Sequence, residues 1–289
     1  MLNQIFSIRR LENFLFQPLS CLIVVYLIKG GMRVYLPSFQ LHNRTAIVTG
    51  AGRGIGKAIA IGLAEAGADV ALLARTREDL EMTAQEIEKL GRKAYVVPTD
   101  VTKRDEVKHA VNTIHREAGK IDILINNAGM NIRSKALDVT DEEWQKIMDT
   151  NLKSAFIVSQ EVGKMMVKNR QGKIVTIASV AGHVALRTGV VYAATKAALI
   201  QMTKVLAHEW GPYQINVNAI GPWYFKTPLT EKLLSDEQYV RDILAVTPLN
   251  RIGELPEIVG PAVFLSSDAS NYISGQTLFV DGGMTIFGF

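Results

Sequence analysis

Short apolar segments alternate with longer amphipathic segments from Arg44 to the end of the chain. The short segments are apolar at nearly every position, which is typical of parallel strands that helices cover on both faces. They predict strands at Thr45–Thr49, Asp69–Ala74, Lys93–Pro98, Ile121–Asn126, Lys173–Ala178, Gln214–Ile220 and Gln276–Val280. The segments between them predict helices over about 55–67, 77–90, 103–119, 141–169, 189–211 and 254–267. Thr140 and Glu143 form a capping-box pattern at the start of the fourth helix.

This alternation, with short connections, predicts an α/β fold of the Rossmann type: a single domain with a doubly wound parallel sheet and helices on both faces. We expect residues 41–289 to form that domain and residues 1–40 to be an N-terminal extension. Right-handed crossovers bring the carboxyl ends of the strands to one edge, where ligands of such sheets bind. Glycine-rich or polar segments follow five of the strands, at Gly50, Asp100, Asn126–Gly129, Ser179 and Gly221-Pro222.

The composition narrows the possible functions. With 289 residues and 48% hydrophobic content the chain can bury one large core. The net charge is only +4, and no run of Lys and Arg resembles a nucleic-acid arm or a polybasic membrane patch. Cys21 is the only cysteine, so the domain has no disulfide and no thiol nucleophile. The histidines do not pair at metal-ligand spacing, and we expect no protein-bound metal.

The N-terminal segment allows three interpretations. Phe14 to Ile28 is mostly apolar and follows the basic pair Arg9-Arg10. It is shorter than the roughly 20 apolar residues that span a bilayer, and no Ala-x-Ala-like cleavage site follows it. The segment precedes a true start at Met32, or is a loosely packed extension, or is an uncleaved anchor. We favour these in that order, and a membrane association is not expected.

The glycine-rich turn Thr49–Gly56 follows the first strand and opens the first helix. Glycines allow a tight turn and a close approach of the backbone to a diphosphate, which the N-terminus of a helix attracts. Its spacing is Thr-Gly-x-x-x-Gly-x-Gly, because Ile55 stands at the third glycine of the Gly-x-Gly-x-x-Gly fingerprint. The alternative is a purely structural turn. The candidate cofactor residues here are Gly50, Gly52, Arg53, Gly54, Ile55 and Gly56.

The end of the second strand favours NADP over NAD. An NAD site usually places Asp or Glu there to bond the ribose 2′-hydroxyl. This chain instead reads Leu73-Ala74-Arg75-Thr76-Arg77, without a carboxylate. A guanidinium suits a 2′-phosphate, so Arg75 is the candidate, and Arg53 could reach the same phosphate. NAD remains possible, since these arginines can also be solvated residues at a helix start.

Tyr192 and Lys196 are four residues apart on the helix after strand five and share one of its faces. A free tyrosine has a pKa near 10, and a nearby ammonium is expected to lower it. Tyr192 can then exchange a proton with an alcohol or ketone oxygen while hydride moves at the adjacent carbon. Ser179 can orient the same oxygen, and Asn151 could hold a water that returns the proton.

These residues carry a resemblance to the short-chain dehydrogenase/reductase family, of the single-domain type, from about residue 41 to the C-terminus. The matching motifs are Thr49–Gly56, Asp100-Val101, Asn126-Asn127-Ala128-Gly129, Asn151, Ser179, Tyr192, Lys196 and Val280-Asp281-Gly282-Gly283. The resemblance implies a dinucleotide-binding and catalytic domain with an Asn151–Ser179–Tyr192–Lys196 tetrad, and a homotetramer. We expect a cytoplasmic location, because an enzyme that uses reduced nicotinamide would find little cofactor outside the cell. It also implies cofactor contacts, which are Lys196 at the nicotinamide ribose, Asp100 and Val101 at the adenine, Asn127 at the adenosine ribose, Ala128, Gly129 and Pro222 along the cofactor, and Thr227 at the carboxamide or phosphate. The family commonly has Pro-Gly after strand six, whereas this chain has Gly221-Pro222-Trp223.

The substrate is indicated by two segments that resemble the gluconate 5-dehydrogenase-like branch of the family, Asn131-Ile132-Arg133 and residues 220–227. Arg133 or Lys226 could pair with a sugar-acid carboxylate, His183 could bond a hydroxyl, and Trp223 could narrow the site. Residues 223–250 are expected to form a mobile lid over the substrate. We expect hydride transfer between NADP(H) and a secondary alcohol or ketone, a sugar acid or polyol such as gluconate or 5-ketogluconate.

Other functions remain possible at this stage. A 3-oxoacyl thioester reductase, acting on an acyl carrier protein, would share the fold and tetrad but need an open apolar groove and a basic landing surface. A non-catalytic NADP-binding regulator is a second alternative, because a fold does not fix a function. A membrane-tethered interaction protein that uses Phe14–Ile28 is a third.

Overall fold

The fold is a parallel α/β sandwich, in a computed structural model that describes residues 35–187 and 189–286. The expected apolar segment Phe14–Ile28 therefore lies outside the described residues. Its seven strands are β1 (Thr45–Thr49), β2 (Asp69–Ala74), β3 (Ala94–Pro98), β4 (Ile123–Asn126), β5 (Gly172–Ile177), β6 (Ile215–Pro222) and β7 (Thr277–Val280). They form one sheet in the order β3-β2-β1-β4-β5-β6-β7, and every neighbouring pair is parallel. The predicted doubly wound parallel sheet is confirmed.

Helices cover both faces of this sheet. They are α1 (Gly54–Glu65), α2 (Arg77–Lys89), α3 (Arg104–Ala118), α4 (Asp141–Met148), α5 (Ser154–Asn169), α6 (Val190–Trp210), α7 (Glu231–Leu234), α8 (Glu237–Ala245) and α9 (Pro256–Ser266). One apolar core lies on the face that α1, α2 and α9 cover, and a second lies on the face that α3 and α5 cover. The strands are therefore buried on both sides, which explains their continuous apolar sequences.

The predicted single helix over 141–169 is wrong in one respect. A five-residue π-helical segment, Asp149–Lys153, separates α4 from α5. Such wider turns insert one residue into a helix and occur often at functional sites. The capping box at its start is half formed, because Thr140 accepts from the Glu143 amide at 3.2 Å while the Glu143 carboxylate accepts from Ser134 at 2.6 Å.

The segment Val190–Tyr213 is, in the described part of the chain, the one helical stretch long and apolar enough to cross a membrane by length and composition. A core helix of a soluble protein passes the same test. Here α6 carries Tyr192 and Lys196 and packs on β6. Its composition therefore follows from its place in the fold.

Candidate active site

The strand order places the candidate site. The chain runs outward from β1 to β2 and β3, and then returns to β4 on the other side of β1. The gap outside the carboxyl ends of β1 and β4 is the switch point at which such sheets bind ligands. The glycine turn after β1 and the Asn127–Gly129 turn after β4 both lie there.

The glycine turn has the geometry that its sequence predicts. Gly50 and Gly54 have φ angles of +66° and +57°, which favour glycine. A Cβ at Gly56 would overlap the Gly50 carbonyl, so the helix starts directly against the turn. Gly52 faces Asp79, whose Cβ would lie 2.7 Å from a Cβ at Gly52. The first turn of α1 has no acidic residue, and no side chain caps its amides.

A small network fixes this turn to the next one. The Thr49 hydroxyl accepts from the amides of Asn127 and Ala128 at 2.9 and 3.0 Å. The Asn127 side chain donates to the carbonyls of Thr49 and Gly50 at 2.9 and 3.3 Å. Asn127 thus holds the two turns together, and this use of its amide was missed in the sequence because it depends on the pairing of β1 with β4.

The adenosine end combines exposed cations with a fixed carboxylate. Arg75 and Arg53 are exposed, and neither has an ion-pair partner within 4.0 Å among the described residues, whereas Arg77 pairs with Glu81. The Asp100 side chain accepts from the amide and hydroxyl of Thr102. Burial raises the pKa of Asp100, but these bonds and the Arg75 charge outweigh that effect and lower it. Val101 beside it is buried.

Ser179, Tyr192 and Lys196 meet at the carboxyl end of β5. Ser179 begins the short 3₁₀ turn Val180–Gly182, and its hydroxyl accepts from the Ala181 amide at 3.1 Å and bonds the Tyr192 phenol. Lys196 is 5% exposed and donates to the Ile177 carbonyl at 2.8 Å. Its Nζ lies 5.4 Å from the centroid of the Tyr192 ring. The three side chains therefore form one polar cluster.

Asn151 lies in the π-helical segment and is fully buried. Its Oδ1 accepts from the Met130 amide at 2.8 Å, and its Nδ2 donates to the Met130 carbonyl at 2.9 Å and to the Thr195 hydroxyl at 3.3 Å. Both protons of the amide are used, so the side chain has little capacity left to hold a water. In this structure Asn151 joins the turn after β4 to α6 beside Lys196.

A cavity of about 140 Å³ opens over this cluster. Its lining includes Ile55, Asn127, Gly129, Arg133, Ser179, Tyr192, Lys196, Pro222, Trp223, Tyr224 and Thr227. Thr227 also approaches the glycine turn, since a Cβ at Gly54 would lie 3.6 Å from the Thr227 Cβ. Glycine turn, proton-transfer cluster and cavity are thus contiguous.

Comparison with known proteins agrees with this geometry. Residues 50–285 match the family model described as enoyl-(acyl carrier protein) reductase. Gluconate 5-dehydrogenase of Gluconobacter oxydans is 43% identical over 249 residues, 86% of this chain and 97% of that protein. The chain belongs to the short-chain dehydrogenase/reductase family. It is an NAD(P)-dependent oxidoreductase that acts on CH–OH groups.

Two other members of the family differ from each other in cofactor. NAD-dependent glycerol dehydrogenase of Listeria innocua is 42% identical, covering 86% of this chain and 96% of that protein. The crystal structure of a gluconate 5-dehydrogenase from Burkholderia cenocepacia, in complex with NADP and tartrate, is 39% identical with a TM-score of 0.83. It covers 86% of this chain and 97% of that one. The comparisons therefore show the fold and the family, and relatives of similar identity are named with different cofactors and substrates.

Burial changes the pKa values of two side chains in this oxidoreductase site. Burial raises the pKa of Tyr192, and the bond with Ser179 and the charge of Arg133 offset only part of that effect. Burial lowers the pKa of Lys196 to about 8. The expectation that Lys196 depresses the pKa of Tyr192 below its ordinary value is wrong in this structure, because desolvation dominates. The charge that lowers the Tyr192 pKa comes from Arg133.

The candidate substrate residues separate into two groups. Arg133 lines the cavity, as does Tyr224, and Trp223 lines the wall while its indole donates to Thr247 at 3.0 Å. His183 is not part of the cavity lining, because its ring packs against Phe279 with centroids 5.0 Å apart. Lys226 is paired with Glu254 at 2.5 Å on the surface. Of the two candidate substrate cations, Arg133 and Lys226, the structure therefore brings Arg133 to the cavity.

Packing explains why this chain has Gly221-Pro222-Trp223 where the family commonly has Pro-Gly. A Cβ at Gly221 would overlap the Phe279 ring, so glycine lets β6 lie against β7 at this point. Pro222 then ends the strand at the cavity wall, and the expected substrate segment 223–250 begins with Trp223. This segment contains α7 and α8, which sequence periodicity did not predict because both are short.

No group of three metal-ligating side chains occurs in residues 35–187 and 189–286.

Proposed function

We propose that the chain transfers a hydride between NADP(H) and the secondary carbinol or ketone carbon of a sugar acid such as gluconate or 5-ketogluconate. The observation that carries the proposal is Arg133, a cation on the wall of a compact cavity that has the Ser179–Tyr192–Lys196 cluster at its base. A guanidinium there can pair with the carboxylate of a sugar acid. The Gluconobacter relative, named for gluconate, supports the same substrate class.

The residues present fit a bound dinucleotide. The glycine turn leaves space where a Cβ at Gly56 would clash, and the amides of α1 are free of side-chain caps to receive a diphosphate. Arg75 and Arg53 are exposed cations that could bind a 2′-phosphate, and Lys196 and Thr227 line the cavity where the nicotinamide end would lie. The bound cofactor supplies or accepts the hydride.

Side chains of the protein carry out the proton transfer that accompanies the hydride transfer. Tyr192 is the acid that gives its phenolic proton to the carbonyl oxygen in reduction, and the base that takes it back in oxidation. Its raised pKa keeps it protonated near neutral pH, which suits the first role. Ser179 donates a bond to the same oxygen, and the charge of Arg133 stabilises the phenolate that remains. Lys196, still largely protonated at pH 7, would hold the nicotinamide ribose. Asn151 positions the start of α6.

The test is oxidation of NADPH with three substrates: 5-ketogluconate, a neutral keto-sugar and an acetoacetyl thioester. We expect turnover of the keto-acid, and Tyr192→Phe should abolish most of it while NADPH still binds. Turnover of the thioester alone would instead support a 3-oxoacyl thioester reductase. Tight NADPH binding without turnover of any substrate would support a regulator.

The cofactor form is tested by a pair of variants. Arg75→Ala should raise the KM for NADPH roughly 10-fold, since a charge-assisted bond to the 2′-phosphate is lost, and leave the KM for NADH unchanged. Arg77→Ala is the matched control, because Arg77 is two residues away and already paired with Glu81 at 3.6 Å. Equal effects on both cofactors would refute the assignment to NADP.

We also propose a cytoplasmic homotetramer. Large apolar side chains remain exposed on α4, α5 and α6, namely Trp144, Phe156 and Val205, and contact between copies would bury them. A cytoplasmic location follows from the need for NADPH. Light scattering of the purified chain should give four times the mass of the protomer, and a monomer would contradict this part of the proposal.

A further inference from the structure

Two tyrosines form a hydrogen-bonded pair at the cavity wall. Tyr224 lines the cavity together with Arg133, and its hydroxyl bonds the Tyr239 hydroxyl at 2.5 Å. Tyr239 belongs to α8 and lies behind Tyr224, outside the cavity lining. Its ring meets the Tyr224 ring edge-on, with centroids 5.9 Å apart and planes at 86°. Tyr239 thus contacts the cavity wall through Tyr224.

The number of hydroxyl protons limits which hydrogen bonds Tyr224 can donate. A tyrosine hydroxyl has one proton to donate and two lone pairs that accept. If Tyr224 donated to Tyr239, it would have no proton for a ligand. If Tyr239 donates instead, the Tyr224 proton is free to point into the cavity.

The surroundings of Tyr239 fix its position. Arg187 lies over the Tyr239 ring, 5.7 Å from the centroid, and its guanidinium bonds the Asp242 carboxylate at 2.7 Å. The pair ties α8 to the loop before α6. A cation over an aromatic face draws electron density from the ring, and this makes the phenol a better donor.

We propose that Tyr239 is a positioning residue that donates to Tyr224, so that the Tyr224 hydroxyl and Arg133 together bind the anionic end of the substrate. The proposal rests on the proposed function, because it needs a substrate with a carboxylate. It goes beyond that function in assigning specificity to a side chain that does not touch the substrate. An anion is bound only by donors, and a neutral sugar has no such requirement.

The test compares Tyr239→Phe, Tyr224→Phe and the double variant with 5-ketogluconate and a neutral keto-sugar. Tyr239→Phe should raise the KM for the keto-acid roughly 10-fold, the value for one hydrogen bond to a charged group. The kcat and the KM for the neutral sugar should stay within about twofold. The double variant should resemble Tyr224→Phe alone, because one residue acts through the other.

A matched control is available elsewhere in the chain. Tyr213 also has an arginine over its ring, Arg170 at 5.8 Å, but it lies at the end of α6 away from the cavity. Tyr213→Phe should leave every kinetic constant unchanged. Equal losses on both substrates, or multiplied effects in the double variant, would overturn the role of Tyr239. If the wild type turned over no keto-acid, the proposed function would fail together with this proposal, whereas a keto-acid activity insensitive to Tyr239→Phe would refute this proposal alone.

Discussion

Lys196→Met should stabilise the protein while it abolishes activity. Lys196 is 5% exposed, and burial lowers its pKa from 10.5 to about 8. At neutral pH the folded protein therefore holds an ammonium in a site that disfavours its charge. Methionine has a similar length and no charge, so it removes this cost.

The size of the expected gain in stability follows from the lowered pKa of Lys196. A difference of 2.5 pKa units between 10.5 and about 8 corresponds to about 3 kcal/mol of free energy. The bond from Lys196 to the Ile177 carbonyl is lost in the variant, at a cost of about 1 kcal/mol. We expect a net gain of about 2 kcal/mol in the free energy of unfolding near pH 7.

The pH dependence is the sharper part of this prediction. The folded pKa lies below the unfolded value, so the unfolded chain binds more protons between pH 8 and pH 10.5. Wild-type stability from this group should therefore rise by about 2 kcal/mol between pH 6.5 and pH 9.5, relative to the variant. The advantage of the variant should shrink over the same interval.

The assay is urea unfolding without cofactor, at one protein concentration, across that pH interval. Lys204→Met provides the control, since Lys204 is on the same helix and exposed. It should change stability by less than about 0.5 kcal/mol at any pH. A Lys196→Met variant less stable than the wild type at pH 7, with no pH-dependent difference, would refute the reasoning.

Two further predictions concern catalysis. Arg133→Met should move the pH profile of alcohol oxidation to higher pH when a neutral substrate is used, because the positive charge of Arg133 lowers the Tyr192 pKa; an unshifted profile would show that the two groups do not interact. Gly182→Ala should lower kcat roughly 10²-fold with little change in the KM for NADPH. A Cβ there would lie 2.6 Å from the Lys196 carbonyl carbon and push the turn after Ser179 away from α6. Unchanged kcat would show that this contact can relax.

The fold was predictable from the sequence because the strands are buried on both faces. Continuous apolar segments such as Ile47–Val48 and Leu72–Leu73 mark a parallel sheet, and the residues after them mark its carboxyl edge. The π-helical segment was not predicted, because Asp149–Lys153 contains no Gly or Pro that would mark a break in the helix. It is nevertheless what turns Asn151 toward Met130 and Thr195.

Some residues of the site were also predictable from the sequence, and others were not. Ser179, Tyr192 and Lys196 follow from spacing on one strand and one helix, and the structure brings them together. His183 and Lys226 looked equally suitable as polar ligands in the sequence, but packing against Phe279 and pairing with Glu254 decide against them. Such contacts join segments far apart in the chain, and local patterns do not contain them.

The position of Arg133 connects substrate binding with proton transfer. Its charge lowers the pKa of Tyr192, and it is also the cation that an acidic substrate would neutralise. A carboxylate paired with Arg133 should therefore raise the Tyr192 pKa and hold the proton on the phenol. Oxidation needs the phenolate as its base, so the pH profile of oxidation should lie at higher pH with an acidic substrate than with a neutral one. The same residue would thus select the substrate and set the pH range of its oxidation.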